Sequence, residues 1–326
     1  MNIKKFILKK NTSKKIFTPG PSSLSEENIL GLEPCFGRND NSYKKIEKFV
    51  IKKIKNISGQ KNVAYLQGSA SLALEIAIHN FIYGKVLLVN TGVYSDRLFN
   101  MMKNFSKSRF NKKLKKIEKI DWRKISQVKK KYDWVISCVT ETSIGLKIPI
   151  SELYKLKKKT NSKLFLDATA SIGLEKDHRL GNLMCFSSCK GLFGLTGASF
   201  ICYNEKPKNK INSFYFDINS HLNHRMTGPY HIIGSLYYVL KKYDQFKHSV
   251  KVNKKKFLNK FGNLSPYPIK NQPLICTHIT KKIFKKNSNT ILYKPRSKLK
   301  GSIVCHLGEV HLKKKSKGNI INNIRV

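Results

Sequence analysis

The chain has 326 residues, of which 64 are lysine or arginine and 19 are aspartate or glutamate, so its formal charge is +45. The length suggests about two domains, and a hydrophobic share of 40% is enough to bury a core. No apolar run approaches the length of a membrane span, and the N-terminal stretch MNIKKFILKKNTSKK is too weakly apolar for a signal peptide, so we expect no membrane association.

The charge is compatible with a polyanionic partner such as nucleic acid. However, lysine is spread along the whole chain together with many Asn and Ile residues, which indicates compositional bias. Zinc-finger spacing and aromatic-rich RNA motifs are absent from the sequence, so we expect no specific nucleic-acid partner. The seven cysteines form no CxxC pair, and several lie in apolar runs, which is typical of reduced, buried thiols in a cytoplasmic protein without a metal site.

After a basic N-terminal extension at 1–15, short apolar runs alternate with helical patterns over 16–231. The predicted strands lie at 63–67, 86–90, 134–139, 164–167, 183–187 and 198–203. Strands that alternate with helices predict an α/β fold with a mostly parallel sheet, and uniformly apolar runs predict helices on both faces. Such a large domain binds its ligand at the carboxyl ends of the strands.

The pattern changes near residue 230. Residues 232–246 have helical periodicity and could link two domains, and the rest of 232–326 has weaker patterns, typical of a small α+β domain. We expect the basic C-terminal stretch KKKSKGNIINNIRV to be a solvated end.

The stretch GSAS, which comprises Gly68, Ser69, Ala70 and Ser71, lies between a predicted strand and a predicted helix. Amides at a helix N-terminus and two serine hydroxyls form a phosphate site. The alternative is that these residues are small only to allow the turn.

Two charged residues follow the predicted strands at 164–167 and 183–187. Asp167 ends the strand at 164–167, and a carboxylate buried there needs a partner. The side chain could cap a helix or form a structural ion pair. Alternatively, it could pair with a protonated ring nitrogen. Lys190 stands between small and apolar residues in SSCKGLFG and is either structural or a Schiff-base lysine. A phosphate turn, an acid for a pyridinium nitrogen and a Schiff-base lysine are together the anchors of pyridoxal 5'-phosphate, PLP.

Several ordered blocks resemble one enzyme family. These are FTPGP, YLQGSAS, NTGVYSDR, VTETSIGLKIPI, LFLDATASIG, SSCKG and RMTGPYH, between residues 17 and 231. They are similar to the corresponding blocks of the class V, fold-type I PLP-dependent aminotransferases, and most similar to those of the 2-aminoethylphosphonate:pyruvate branch. The resemblance implies a fold-type I transferase with a large PLP-binding domain and a small, shortened C-terminal α+β domain.

The resemblance also implies roles for single residues. Lys190 would hold the cofactor and shuttle the substrate proton, and Asp167 would keep the pyridine nitrogen protonated. Tyr94 would stack on the ring, although it could also be an ordinary loop aromatic, and Thr142 would contact the phenolic oxygen. The remaining implied residues are the phosphate and cofactor ligands Gly68, Ser69, Ala70, Ser71 and Ser187, the neighbouring subunit's phosphate ligand Thr227 in a homodimer, and Pro19 and Gly20 at the substrate mouth.

The sequence departs from the family pattern at three residues. Cys189 precedes the lysine where the family has Asn, Gln or His, and Ala70 replaces a glycine, which is tolerable if its φ is negative. Ile303 stands where the family carries the arginine that binds the substrate acid group. Arg38 and His306 are candidate substitutes for that arginine, and the alternative for each is an ordinary structural or surface residue.

We therefore expect a transaminase that moves an amino group from a small amine, with 2-aminoethylphosphonate as the best guess, to a 2-oxo acid such as pyruvate. The alternatives are an alanine:glyoxylate-type transaminase or PLP lyase of the same class, or a non-catalytic protein that binds PLP or polyanions.

Overall fold

The structure, a computed structural model, describes residues 2–33, 35–37, 39–109, 111, 113–308, 310 and 319–326. Within these residues, seven strands form a central sheet in the order β2-β10-β9-β8-β5-β3-β4. The strands are β2 (Asn62–Gln67), β3 (Gly84–Asn90), β4 (Leu114–Asp121), β5 (Trp134–Cys138), β8 (Lys163–Asp167), β9 (Leu183–Ser187) and β10 (Ala198–Tyr203). Pairing is parallel from β9 through β8, β5 and β3 to β4, whereas β10 is antiparallel to both β2 and β9. The prediction of a mostly parallel sheet is confirmed.

The sheet is buried on both faces because successive residues of its central strands enter different apolar clusters. Val135 and Leu164 belong to one cluster, and their neighbours Trp134, Ile136 and Phe165 belong to another. Side chains alternate between the two faces of a strand, so each face has its own core. This arrangement explains the uniformly apolar runs in the sequence.

Helices cover the sheet and connect its strands. They are α1 (Ile3–Ser13), α2 (Glu26–Leu30), α3 (Asn41–Ser58), α4 (Ala70–Phe81), α5 (Val93–Ser106), α6 (Ile150–Thr160), α7 (Ile218–Leu222), α8 (Tyr230–Lys241), α9 (Tyr243–Phe261) and α10 (Ile320–Asn323). Short 3₁₀ helices cover Trp122–Gln127, His178–Leu180, Gly262–Leu264 and Ile269–Asn271. No helix in the described ranges combines the length and the apolar character that crossing a bilayer requires.

The predicted helix at 232–246 is two helices. The backbone leaves the helical conformation at Lys242, which ends α8 and precedes α9. Directly after this break Tyr243 is buried, with its ring 5.9 Å from that of Phe193 and its hydroxyl against Gly173. The apolar periodicity continued through the break because the buried Tyr243 is itself part of the core.

Short strand pairs complete the fold. They are β6 (Thr140–Glu141) with β7 (Leu146–Lys147), β11 (Cys276–Ile279) with β14 (Ser302–Cys305), β12 (Phe284–Lys285) with β15 (Ile324–Arg325), and β1 (Lys15–Phe17) with β13 (Thr290–Leu292). Only the β1 and β13 pair is parallel among these.

Both chain ends are packed. In the basic N-terminal extension, α1 buries Ile7, and Asn11 donates a hydrogen bond to Leu24 O at 2.7 Å. The expectation of a solvated C-terminal end is wrong for 319–326, where Ile320 and Ile324 are buried in a cluster with Phe17. The many lysines of this tail suggested a solvated end, although its apolar residues pack into the core.

Candidate functional site

The predicted site residues lie along the carboxyl edge of the parallel strands. Cys138, Asp167 and Cys185 occupy the same register of β5, β8 and β9. Asp167 is 2% exposed, and its Oδ1 accepts hydrogen bonds from the amide of Thr169 at 3.0 Å and from the hydroxyl of the same residue. This local clamp fixes the carboxylate at the end of its strand.

Lys190 lies in the loop that follows β9 and is half-buried. Its Nζ is 5.8 Å from the centroid of the Tyr94 ring, and its aliphatic stem lies against Gly20. The chain around Gly20 is held over this loop because Ser22 donates its amide to Cys189 O at 2.8 Å. Lys190 is thus enclosed between the Tyr94 ring and the N-terminal segment.

Three buried thiols line the surroundings of Lys190. Burial raises the pKa of the Cys138, Cys276 and Cys305 thiols, and the Lys190 ammonium is close enough to each of them to oppose that shift. Asp167 also acts on Cys138 and raises its pKa further. Asp167 and Lys190 therefore both lie within electrostatic range of the same buried thiol.

The GSAS stretch forms the turn between β2 and α4, as predicted. Gly68 has φ +154°, where a side chain would be strained, and its amide donates to Gly197 O at 2.9 Å. Ser69 is the N-cap of α4, but its hydroxyl makes no capping hydrogen bond. Ala70 is already helical, so its replacement of glycine is tolerated, as expected. The turn presents a serine hydroxyl and a helix N-terminus.

Strand pairing places Ser187 near the turn that follows β2. Ser199 on β10 pairs with Ser187 at the end of β9 on one side and with Leu66 on β2 on the other. Ser187 is 6% exposed, and its Oγ lies 3.6 Å from the sulfur of Cys189. Cys189 thus makes a weak contact within the site.

Sequence reasoning missed Glu141, which is fully buried beside Thr142. Its carboxylate accepts hydrogen bonds from the Tyr94 amide at 3.0 Å and from the hydroxyls of Thr91 and Ser143. Burial nevertheless raises the pKa of Glu141. Glu141 fixes the backbone that carries Tyr94, and the only signal in the sequence was its position in ETS.

Sequence reasoning also missed the segment 293–298. The hydroxyl of Tyr293 lies against Tyr94 and Thr142, and burial raises the pKa of Tyr293. Ser297 donates its hydroxyl to Ser143 O at 2.6 Å. No local pattern could have indicated that this segment reaches the site, because the contacts span about 150 residues of chain or more.

A model of the family described as aminotransferase class V matches residues 38–221, more than half of the chain. The chain belongs to the class V aminotransferases. This class V chain is 26% identical over 223 residues to an uncharacterized aminotransferase of Methanocaldococcus jannaschii, with 63% of this chain and 57% of that protein covered. It is 24% identical over 253 residues to a 2-aminoethylphosphonate–pyruvate transaminase of Pseudomonas aeruginosa, with 71% and 68% covered.

Solved structures share the fold of this class V chain over nearly its whole length. Alanine–glyoxylate aminotransferase from Nostoc sp. superposes with a TM-score of 0.77 at 15% identity, with 95% of this chain and 94% of that chain covered. Pyridoxamine–pyruvate aminotransferase from Mesorhizobium loti has a TM-score of 0.75 at 16% identity, with 94% and 90% covered. The fold is the fold-type I aminotransferase fold that the sequence predicted.

The departures from the class V pattern have different outcomes. Ile303 is buried on β14 opposite His278, with its Cδ1 near Gly145. The interpretation of His306 as an acid-binding residue is wrong. Its Nε2 lies 3.0 Å from Thr277 Oγ1 in the core, and burial lowers its pKa to about 3, which keeps the ring neutral.

The other predicted substrate and interface residues are placed as follows. Pro19 is buried beside Gly20, and Arg38 lies outside the described residues. Thr227 is exposed just before α8, and no hydrogen bond within the described part of the chain joins it to Lys190 or Asp167.

Proposed function

We propose that this protein is a PLP-dependent aminotransferase. The observation that carries the proposal is the enclosure of Lys190 between Gly20 and the ring of Tyr94, with the buried carboxylate of Asp167 on the neighbouring strand. Membership of the class V family and relatives named as transaminases support it. The Trichomonas vaginalis phosphoserine aminotransferase, a structure of similar fold with a TM-score of 0.63, is described as PLP-bound.

The residues present fit this cofactor. The Ser69 hydroxyl is not used for capping and stands at the N-terminus of α4, which favours a phosphate. Asp167 is a buried acid whose Oδ1 is oriented by Thr169, as a partner of a ring nitrogen must be. Tyr94 offers a ring face, and Lys190 offers a primary amine beside it.

Each residue then has a defined task. PLP supplies a ring that withdraws electrons from the substrate carbon next to its nitrogen. Lys190 Nζ would hold the cofactor and would carry the proton of that carbon as general base and acid. Asp167 would keep the ring nitrogen protonated. We assign the phosphate and the remaining cofactor atoms to Gly68, Ser69, Ala70, Ser71, Thr142 and Ser187.

The substrates are a small amine or amino acid and a 2-oxo acid. The Pseudomonas relative makes 2-aminoethylphosphonate and pyruvate our first choice, and the fold shared with the Nostoc enzyme keeps alanine and glyoxylate as the alternative. With Ile303 in place of an arginine, another cation must bind the acid group. We propose Arg296, which is exposed on the segment whose Tyr293 and Ser297 contact the site.

We also propose a cytoplasmic homodimer, with Thr227 reaching the phosphate of the neighbouring subunit. The exposure of Thr227 next to α8 leaves it available to a partner. The seven cysteines are free, which agrees with a reducing compartment.

The test is the visible spectrum of the protein purified with PLP, recorded beside Lys190→Ala. We expect a visible absorption band of the lysine-bound cofactor that the variant lacks. Addition of 2-aminoethylphosphonate, alanine and other amines one at a time should bleach the band for the true donor. A protein without any band would overturn the proposal, and a band that no amine alters would overturn the transaminase activity while keeping the cofactor.

A further inference from the structure

A cavity of about 440 Å³ lies between α6 and α9. The start of α6, the residues that follow Ile172 and one side of α9 form its walls. Its lining includes Lys251, Lys254, Leu258, Glu175 and Leu274. None of the residues assigned to PLP belongs to this lining.

Lys254 is the buried cation of this cavity. It is only 8% exposed, and its Nζ donates to Pro273 O at 2.6 Å and to Gln272 O at 3.2 Å. Both acceptors are neutral carbonyls, and no salt bridge within the described residues includes Lys254. Desolvation therefore lowers the pKa of Lys254 to about 8.

The acid closest to this ammonium is already in use. The carboxylate of Glu175 binds Lys147 Nζ at 2.7 Å through one oxygen and the Leu274 amide at 2.6 Å through the other. Its attraction only partly offsets the desolvation of Lys254. A buried charge without its own counter-ion is costly, and an anion in the cavity would remove that cost.

Two further features of the lining favour an anion. The cavity contains five lysines against two acids, and α6 begins in its wall with no side-chain cap at Pro149.

The remaining lining is aliphatic, with Ile148, Ile150, Leu174, Leu258 and Leu274 as its largest members. Such a wall stabilises an apolar body of a few carbon atoms.

We propose that this cavity is a second binding site for a small carboxylic acid that carries an apolar side chain. The carboxylate binds Lys254, and the apolar group packs on the aliphatic wall.

This second site lies close to the first without sharing residues. Cys276 is near enough to both Lys190 and Lys254 that each ammonium lowers its pKa against the effect of burial. The site does not depend on the proposed transaminase activity, since no residue of its lining takes part in that chemistry.

The test uses 2-hydroxy-4-methylpentanoate, which cannot react with PLP as an amine does. Its binding to the intact protein is measured by titration calorimetry beside 4-methylpentanamide, which lacks both the charge and the hydroxyl. We expect a Kd near or below about 1 mM for the acid and no binding of the amide. Lys254→Met should raise the Kd of the acid at least about tenfold. The variant Lys251→Met, at the rim of the cavity, should change that Kd by less than about threefold.

If Lys254→Met fails to fold, a second variant still tests the site. Leu258→Trp fills part of the cavity from a half-exposed position and should also abolish binding. Absence of binding to the unmodified protein overturns the proposal. Binding that Lys254→Met and Leu258→Trp leave unchanged, or that Lys190→Ala abolishes, places the acid elsewhere and overturns it equally.

Discussion

Gly20 faces the stem of Lys190 so closely that a Cβ at this position would lie 2.7 Å from Lys190 Cγ. Its φ of +144° is also strained for any residue with a side chain. Gly20→Ala should therefore displace Lys190 from its place against Tyr94. We expect kcat to fall at least about tenfold and the cofactor band to weaken, with a melting temperature only a few degrees lower.

The matched control for this prediction is Gly262→Ala. A Cβ at Gly262 meets nothing closer than 3.7 Å, and its φ of −63° is ordinary. That variant should keep the spectrum and kcat of the unmodified protein. If Gly20→Ala does the same, the contact with Lys190 has no functional weight.

Glu141 gives a prediction about stability and pH. Burial raises its folded-state pKa above the ordinary value of 4.5, so the folded protein binds more protons than the unfolded chain just above that pH. Its contribution is therefore favourable at low pH and is lost as pH rises through the raised pKa. Glu141→Gln keeps an oxygen for the Tyr94 amide and removes the ionisation.

Thermal melts between pH 4.5 and 8 check the effect. Glu141→Gln should melt higher than the unmodified protein at pH 8, and the difference should shrink toward pH 4.5. The exposed variant Glu33→Gln should show no such trend. A Glu141→Gln protein that is less stable at pH 8 would show that the hydrogen bonds of the carboxylate outweigh its desolvation.

Local patterns in the sequence were sufficient to predict the central sheet and to place Asp167 and Lys190 at its edge. Each buried strand is a short apolar run, and Asp167 and Lys190 follow such runs directly, so position in the chain indicated position at the sheet edge. The strand β4, with the sequence LKKIEKID, was missed because it pairs only with β3 and leaves its three lysines exposed. An edge strand of this kind lacks the apolar run that identifies the others.

Contacts between distant segments could not be predicted in this way. Tyr293 and Ser297 reach Tyr94 and Ser143 across the fold, and nothing in their own neighbourhood indicates that. His306 shows the opposite error. A histidine near the family's arginine position suggested a ligand, but its neighbours in sequence are buried strand residues, and the ring packs 5.3 Å from Phe257.

Two buried histidines predict loss of stability in acid. Burial lowers the pKa of His178 and of His306 to about 3, whereas the ordinary pKa of histidine is 6.5. Below pH 6.5 the unfolded chain binds protons that the folded protein does not, so stability falls as pH falls toward 3. Each histidine should lower the free energy of unfolding by about 2 kcal/mol between pH 7 and pH 5.

Urea unfolding at pH 7 and pH 5 measures this loss. His306→Gln retains hydrogen-bonding capacity beside Thr277 but cannot bind the proton, so the loss of stability on acidification should be smaller by about 2 kcal/mol. The exposed variant His248→Gln should show the full loss. Equal losses in the two variants would exclude His306 as a source of the acid sensitivity.

Kinetics can distinguish a specific role of Arg296 in substrate binding from a general effect of positive charge. If its guanidinium binds the substrate acid group in the ground state and the transition state alike, Arg296→Ala should raise KM for the amine donor about tenfold with little change in kcat. Arg123→Ala removes an arginine of which 72% of the side chain is exposed on a 3₁₀ helix, and should leave KM unchanged. A fall in kcat alone, or equal effects of both variants, would contradict the assignment.

Thr227 provides a test of the dimer that does not depend on measuring mass. If Thr227 serves the phosphate of the neighbouring subunit, Thr227→Ala and Lys190→Ala each impair every site of their own homodimers. A mixed dimer, however, contains one site with an intact Lys190 and the partner's intact Thr227. Refolding an equal mixture of the two variants should therefore restore about a quarter of the unmodified activity. If Thr227 instead acts within its own chain, each site of the mixed dimer lacks one of the two residues, and mixing restores nothing.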